Sequence, residues 1–261
     1  MPELSDVEGF KRYFNRHAAG RRVERVEVRD GRILRETTPQ ALGRVLGGQR
    51  FEHAWRRGKW LIAPAGDASL LLHFGMTGLL RFTHDGEDHV HDRVVFGTDR
   101  GELRYRNMRM FGSVRLASDP AELERFLATL GPDALEVDRE RFHELLSGRR
   151  RGSLKAALMD QSLIAGLGNL LVDEISWRAH INPGLPVAKL GPQRIDRLHD
   201  CMTAVLRESI PRGRIPGDPG WLTGARDDRR SGACPRCGAK LRRATIAGRT
   251  TVWCPHCQPR R

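Results

Sequence analysis

Cys234-Pro235-Arg236-Cys237 and Cys254-Pro255-His256-Cys257 form two C-x2-C pairs separated by 16 residues. This spacing lies in the range of zinc sites, and four thiolates close a tetrahedral shell with no open position. The metal they imply is one structural zinc, with no catalytic metal or organic cofactor. A segment of about 30 residues cannot build a core of its own, so metal binding supplies its folding free energy. His256 adds nothing that the four cysteines lack, and the fifth cysteine, Cys201, reads as a small buried hydrophobe. Between the pairs lie Arg242, Arg243 and Arg249. The tetrapeptide Ala247-Gly248-Arg249-Thr250 reads as a hairpin carrying Arg249 at its tip. A ribbon used only for stability explains the same cysteines but not the arginines.

Upstream, the composition narrows the partner. Among 261 residues, 45 are Lys or Arg and 32 are Asp or Glu, a net charge of +13 with a sequence pI near 10.6. Such a balance favours a polyanion, nucleic acid first. The mean hydropathy of −0.50 is that of a soluble globular chain. No run of 18 apolar residues is present to span a membrane. The acidic, polar start lacks the apolar core of a signal peptide. The expected setting is a bacterial-type cytosol.

The chain reads as an α+β protein. Val7, Phe10 and Phe14 mark one face of a leading amphipathic helix. Short apolar or alternating segments follow: Val26 and Val28, Trp60-Leu61-Ile62, Leu70-Leu71-Leu72, Val94-Val95-Phe96, Leu103-Arg104-Tyr105 and Val114-Arg115-Leu116. Thr98-Asp99-Arg100-Gly101 is a hairpin turn between two of them. Together they predict a β-sandwich. After Pro120, helical patterns take over, at about 139–147, 153–161, 169–178 and 192–208. Gly131-Pro132-Asp133 marks a break. The expected domains are 1–131, an N-terminal β-sandwich; 132–230, a helical domain; and 231–261, the zinc finger with its β-hairpin.

Three constellations carry chemistry. In Asp160-Gln161-Ser162-Leu163-Ile164-Ala165-Gly166-Leu167-Gly168-Asn169, two glycines precede a helix whose free N–H groups are suited to a phosphate. Asn169 adds a side-chain amide, and Lys155 lies on the preceding helix. Glycines in such a place are also plain turn formers. The second is the set of loop residues His73, Met76, Arg109 and Phe111. Apolar and Arg side chains on loops serve as wedges in a base stack, although Met76 and Phe111 also read as core. Lys59 follows Gly58 and leads into an apolar strand, where it faces either a site or solvent. The third is the start, Met1-Pro2-Glu3-Leu4-Ser5-Asp6-Val7-Glu8. Removal of Met1 leaves a secondary amine beside a carboxylate, and such an amine can form an imine with a sugar carbon. Ser5 and Glu8 have capping-box spacing, which predicts a helix from about Ser5. A helix N-terminus disfavours a nearby ammonium, so the amine is neutral more often than an ordinary α-amino group of pKa roughly 7.7–8.0.

These motifs, in this order, resemble the bacterial formamidopyrimidine-DNA glycosylase and endonuclease VIII family nearly end to end. The start is similar to that family's MPELPEVE opening. Leu154 to Pro183 resembles its helix–two-turn–helix motif, and the cysteine module resembles its zinc finger. The resemblance implies a bifunctional glycosylase and AP lyase, closer to the formamidopyrimidine branch, acting as a monomer on damaged double-stranded DNA. It makes Pro2 the Schiff-base nucleophile, Glu3 the proton donor and Lys59 a proton donor or phosphate contact. His73, Lys155, Gly168, Asn169 and Arg249 fall on DNA-binding elements, and Met76, Arg109 and Phe111 fill the gap left by an everted base. Oxidised purines are favoured over oxidised pyrimidines, with cleavage by β,δ-elimination. The alternatives are a non-catalytic binder of damaged DNA and, more remotely, a zinc-ribbon protein of the ribosome or transcription apparatus. The departures are Ser5 for Pro, Asp6 for Glu, and a Pro/Gly-rich 210–230 segment unlike the family's base-capping loop.

Overall fold

The computed structural model describes residues 2–84, 86, 88–226 and 232–260. They form two compact units. The first is Pro2 with Asp6–Thr129, and the second is Glu3–Ser5 with Leu130 onward. Part of the 210–230 segment, residues 227–230, lies outside the described residues.

In the first unit, helix α1 (Leu4–His17), whose first two residues count with the second unit, leads into β1 (Val23–Val28), α2 (Pro39–Leu46), β2 (Trp55–Arg57), β3 (Trp60–Ala65), β4 (Ala68–His73), β5 (Gly78–Thr83), β6 (Asp92–Thr98), β7 (Gly101–Asn107), β8 (Ser113–Ala117) and α3 (Pro120–Leu127). Two antiparallel four-stranded sheets result, ordered β1-β6-β7-β5 and β2-β3-β4-β8. Alternation along the strands builds the core. Leu61 and Ala63 of β3, Leu70 and Leu72 of β4, and Phe96, Leu103 and Tyr105 of β6 and β7 join Val7 and Phe14 of α1. Leu71 points the other way, with Ile62 and Ala117, under Leu123, Phe126 and Leu127 of α3. A strand covered on both faces has no polar side, which is why Leu70-Leu71-Leu72 is unbroken.

Helix α1 forms where expected, but not through a capping box. Ser5 is buried inside it, its hydroxyl 2.6 Å from that of Ser209. Glu8 accepts from Arg56 Nε at 2.8 Å and pairs with Lys11 at 2.6 Å. Tertiary partners have claimed both side chains that the local pattern would use.

A buried ion network lies on the β6–β7 surface. Asp92 accepts from Arg104 at 3.0 Å and Arg106 at 2.7 Å, and Arg104 is 1% exposed. Burial alone raises the Asp92 carboxyl, but Arg106 and Arg104 more than offset this and hold it below its ordinary value. A depressed folded-state pKa contributes stability that is present above the unfolded value, near 3.9, and is lost as pH falls through the folded one. Unfolding midpoints should therefore drop steeply below about pH 4. Asp92→Asn should cost about 3 kcal/mol at neutral pH, because it strands a buried guanidinium that keeps only Glu102 and Asp88. Denaturant melts of both proteins across pH test this.

The second unit carries α4 (Arg139–Gly148), α5 (Leu154–Met159), α6 (Asn169–Arg178), α7 (Pro192–Ser209) and a hairpin of β9 (Arg242–Ile246) and β10 (Arg249–Trp253). Asp138 and Ser153 cap α4 and α5, accepting from Arg141 and Ala156 N–H. Leu154, Leu158, Leu171, Ile175, Leu198 and Met202 are in its helical core.

Candidate active site and nucleic-acid interface

Glu3 is fully buried. Its carboxylate accepts from the N–H groups of Leu170 at 2.8 Å and Leu171 at 3.0 Å, the second and third residues of α6. It thus caps a helix 167 residues away in the chain, and the positive end of α6 stabilises its negative charge. Next to it, Leu4 N–H donates to Gly166 O at 3.1 Å. This explains both glycines of the Gly166-Leu167-Gly168 turn. A Cβ on Gly168 would lie 2.6 Å from Glu3 Cγ and Oε1, and one on Gly166 2.7 Å from Leu4 Cδ1. Gly166 also has a φ of 115°, where an L side chain is strained. The turn was expected to offer these N–H groups, and with them Gly168, to a phosphate. Instead Glu3 takes two of them, and Gly168 makes room for Glu3. Asn169 stands half-buried at the same helix start, and its Oδ1 has no hydrogen-bond partner among the described residues.

Lys155 is a correction. It was expected at a DNA surface, yet it is fully buried and donates to Asp173 Oδ1 at 2.5 Å. Asp173 Oδ2 accepts from Arg226 at 2.5 Å and from Val252 N–H at 3.1 Å. Arg226 in turn donates to Thr250 O at 2.6 Å. Burial raises the Asp173 carboxyl and lowers the Lys155 ammonium. Each charge depends on the other, so loss of either leaves an uncompensated ion. The network ties α5 and α6 to the strand that begins with Arg249, whose side chain is exposed. Lys155 therefore shapes the surface from beneath.

In the first unit, the loops after β4 and β7 are locked together. Tyr105 Oη donates to His73 O at 2.7 Å, Asn107 Nδ2 donates to Phe74 O at 3.2 Å, and Arg109 N–H donates to Thr77 Oγ1 at 3.0 Å. Gly75 and Gly112 let the backbones meet. A Cβ on Gly112 would sit 2.6 Å from His73 O, and Gly75 has a φ of 60°. The outcome is a fixed set of projecting side chains. Met76 is 37% exposed, Phe111 59%, and the Arg109 guanidinium lies 5.3 Å from the Phe111 ring. Met76 and Phe111 are thus not core. His73 is partly buried, packs tilted against Trp60 with ring centroids 5.0 Å apart, and accepts from Gly75 N–H through Nδ1. Burial and the Lys59 charge hold its pKa down at about 4, so it is neutral and anchors the loop. Lys59 itself is buried, 8% exposed, at the turn into β3.

The four cysteines meet as the spacing requires. Their sulfurs lie within 4.8 Å of one another, with individual separations of 3.5 and 3.9 Å. A tetrahedron of Zn–S bonds near 2.3 Å has edges of about 3.8 Å, so the set fits zinc. Trp177 Nε1 donates to Cys234 Sγ at 3.4 Å, a hydrogen bond of the kind that orients a metal ligand. The hairpin turns through Ala247 and Gly248, with φ of 51° and 68°, a two-residue turn with both φ positive.

Sequence reasoning missed Asp173, Arg226, Tyr105 and Asn107. Asp173-Glu174 did leave a trace. Two adjacent carboxylates inside an otherwise apolar helical stretch must find cations, and Lys155 takes one while Arg178 takes the other.

Family comparisons agree with this geometry. Residues 1–114 match the model of the formamidopyrimidine-DNA glycosylase N-terminal domain, residues 130–216 that of its H2TH domain, and residues 233–260 the zinc finger found in FPG and IleRS. The chain is 35% identical over 273 residues to the formamidopyrimidine-DNA glycosylase of Methylococcus capsulatus, covering 99% of this chain and 100% of that one. It is 36% identical over 274 residues to that of Symbiobacterium thermophilum, covering 99% and 90%. Among solved structures, the Lactococcus lactis enzyme non-covalently bound to DNA containing an AP site matches with a TM-score of 0.89 at 31% identity, covering 99% of this chain and 100% of that one. The same enzyme with DNA containing N7-benzyl-Fapy-dG matches with a TM-score of 0.88 at 31% identity and the same coverage. The chain belongs to the formamidopyrimidine-DNA glycosylase family.

Proposed function

We propose that this chain is a base-excision DNA glycosylase with AP lyase activity, working as a monomer in the cytosol on oxidised bases, purines foremost. The observation that carries the reading is Glu3. A carboxylate buried at the start of α6, directly after Pro2, has the position of a proton carrier for chemistry at the Pro2 nitrogen. With Met1 removed, that nitrogen attacks C1′ of the damaged nucleotide, and the C1′–base bond breaks with its electron pair going to the base, which leaves as an anion and is protonated by solvent water. Glu3 takes the proton released from the amine and returns it to the sugar ring oxygen, which opens the ring to an iminium. The iminium acidifies the C2′ proton. Loss of that proton expels the 3′ phosphate, and a second elimination expels the 5′ phosphate. Water then hydrolyses the imine and restores the amine. Zinc has no step in this sequence; it holds the hairpin that presents Arg249.

C1′ is reachable only when the nucleotide leaves the stack. The projecting Met76, Arg109 and Phe111 supply the replacement, and Asn169, Arg249 and Lys59 hold flanking phosphates. Phe111→Ala, at an exposed position, should change stability by less than about 0.5 kcal/mol. It should weaken binding to an abasic-analogue duplex by about tenfold or more, the worth of one stacked ring. Anisotropy titration beside a thermal melt checks both. The activity itself is tested by a cleavage panel of 8-oxoguanine, formamidopyrimidine, thymine glycol, dihydrouracil and abasic duplexes. Nicking of abasic and oxidised-purine strands is expected. Binding to all without nicking of any would instead identify a damaged-DNA binder.

A further inference from the structure

At the open end of the zinc hairpin, opposite its tip, lies a cleft of about 570 Å³. Arg242, Arg243 and Arg260 line it, with Trp253 as an apolar floor and Pro255 and Pro259 as stiff walls. No carboxylate is among its described lining residues. The two remaining polar residues are committed elsewhere. Asn182 donates to Gln258 O at 3.1 Å and accepts from Gly184 N–H at 2.9 Å. Gln258 donates to Ile181 O at 2.8 Å and accepts from Cys254 N–H at 2.9 Å. Among the described lining residues the solvent-facing charge is therefore all positive, and all three arginines are exposed.

We propose that this cleft is a second phosphate seat, which grips the DNA backbone away from the lesion and lengthens the footprint set by Arg249. The inference rests on the DNA-binding reading above. Continuity favours DNA over another polyanion, because the cleft and Arg249 are on one hairpin. Arg242 pairs with Trp253 in the register, four residues along β10 from Arg249. At about 3.4 Å per residue, this is about 14 Å. Each base-pair step advances about 3.4 Å along the duplex, so a hairpin lying along the duplex axis carries the cleft about four steps beyond the phosphate held by Arg249. Arginine forks suit phosphate oxygens, and the Trp253 face can pack a deoxyribose.

The test is the salt dependence of binding to tetrahydrofuran-containing duplexes, one with flanks of about twelve base pairs on both sides of the lesion and a short one with about three on the side that Arg249 holds and about twelve on the other. Wild type is compared with the full-length double variant Arg242→Gln/Arg260→Gln, and zinc content verifies the finger. On the long duplex, the slope of log affinity against log salt should be shallower in the variant by about 1 to 2, roughly 0.9 for each phosphate that the variant leaves unneutralised. On the short duplex the two proteins should agree. Equal slopes on the long duplex overturn the proposal, as does an equal loss on both lengths. Stoichiometric binding of an oligo-glutamate probe, abolished in the variant while the DNA slopes stay equal, would assign the cleft to an acidic peptide instead. Wild-type nicking of abasic DNA, run alongside, keeps failure of the cleft distinct from failure of the glycosylase reading.

Discussion

Gly168→Ala should reduce nicking of abasic DNA by at least about 100-fold, close to 2.7 kcal/mol of lost transition-state stabilisation. The added methyl has nowhere to go. Its carbon would lie 2.6 Å from Glu3 Cγ and Oε1, well inside van der Waals contact. Backbone on one side and a buried side chain on the other leave only one relief, which is for Glu3 to move. Moving it takes the carboxylate from the N–H groups of Leu170 and Leu171. Each N–H left without an acceptor costs about 1–3 kcal/mol, so the melting temperature should fall with the activity. Single-turnover nicking and a thermal melt of the same sample measure the two losses. Activity within a few-fold of wild type would show that the position of Glu3 does not matter to the chemistry. A methyl at Gly152 meets only Ala156 Cβ, at 3.7 Å, but that glycine has a φ of 95°. Gly148 is the better control, since a Cβ there meets nothing within 4 Å.

Cys254→Ala should remove the finger's contribution to DNA binding. Cys254 is fully buried and is one of the four sulfurs of the zinc site. Its loss leaves three thiolates and forfeits much of the folding free energy that structural zinc supplies, about 10–16 kcal/mol in isolated fingers at pH 7. The small apolar cluster around it, with Trp177, Leu241 and Val252, cannot replace that amount. Arg249 then lacks a fixed strand, and affinity for an abasic-analogue duplex should fall by about 100-fold or more, the scale of several phosphate contacts. Metal analysis should give about one zinc per wild-type chain and less in the variant. Chelation of the wild type should reproduce the binding loss, and added zinc should reverse it. A zinc-free variant that binds DNA at full strength would contradict the role given to the finger.

Much of this architecture was legible in the residues. The Asp99-Arg100 turn between β6 and β7 and the helix over 169–178 follow local patterns that no distant contact opposes. So does the four-sulfur cluster, because cysteine spacing encodes the metal geometry directly. Helix α2 was passed over although its signals are present: Thr38 accepts from Ala41 N–H, and Pro39 sits in the first turn. Strand β5 was missed because Gly78-Leu79-Leu80-Arg81 has no clean alternation, and its place comes from pairing with β7. The capping-box reading of Ser5 and Glu8 failed for the opposite reason. The local rule was sound, but Ser209 and Arg56 offered stronger buried partners. Lys155 and Gly168 show the same limit at the site. A lysine near a glycine turn reads equally as a phosphate ligand or half of a buried ion pair, and Asp173 decides between them only once the helices pack. Gly168 became intelligible only when Glu3 was found against it.

The central claim, that the Pro2 amine forms the covalent intermediate with Glu3 as its proton carrier, is tested most directly by borohydride trapping on abasic DNA, with intact-mass analysis of the same protein. The account predicts a mass lacking Met1, a reduced covalent complex whose cross-link maps to Pro2, and weak or absent trapping with Pro2→Gly. Processed wild-type protein that yields no covalent complex, or one whose cross-link maps to a lysine, would contradict it.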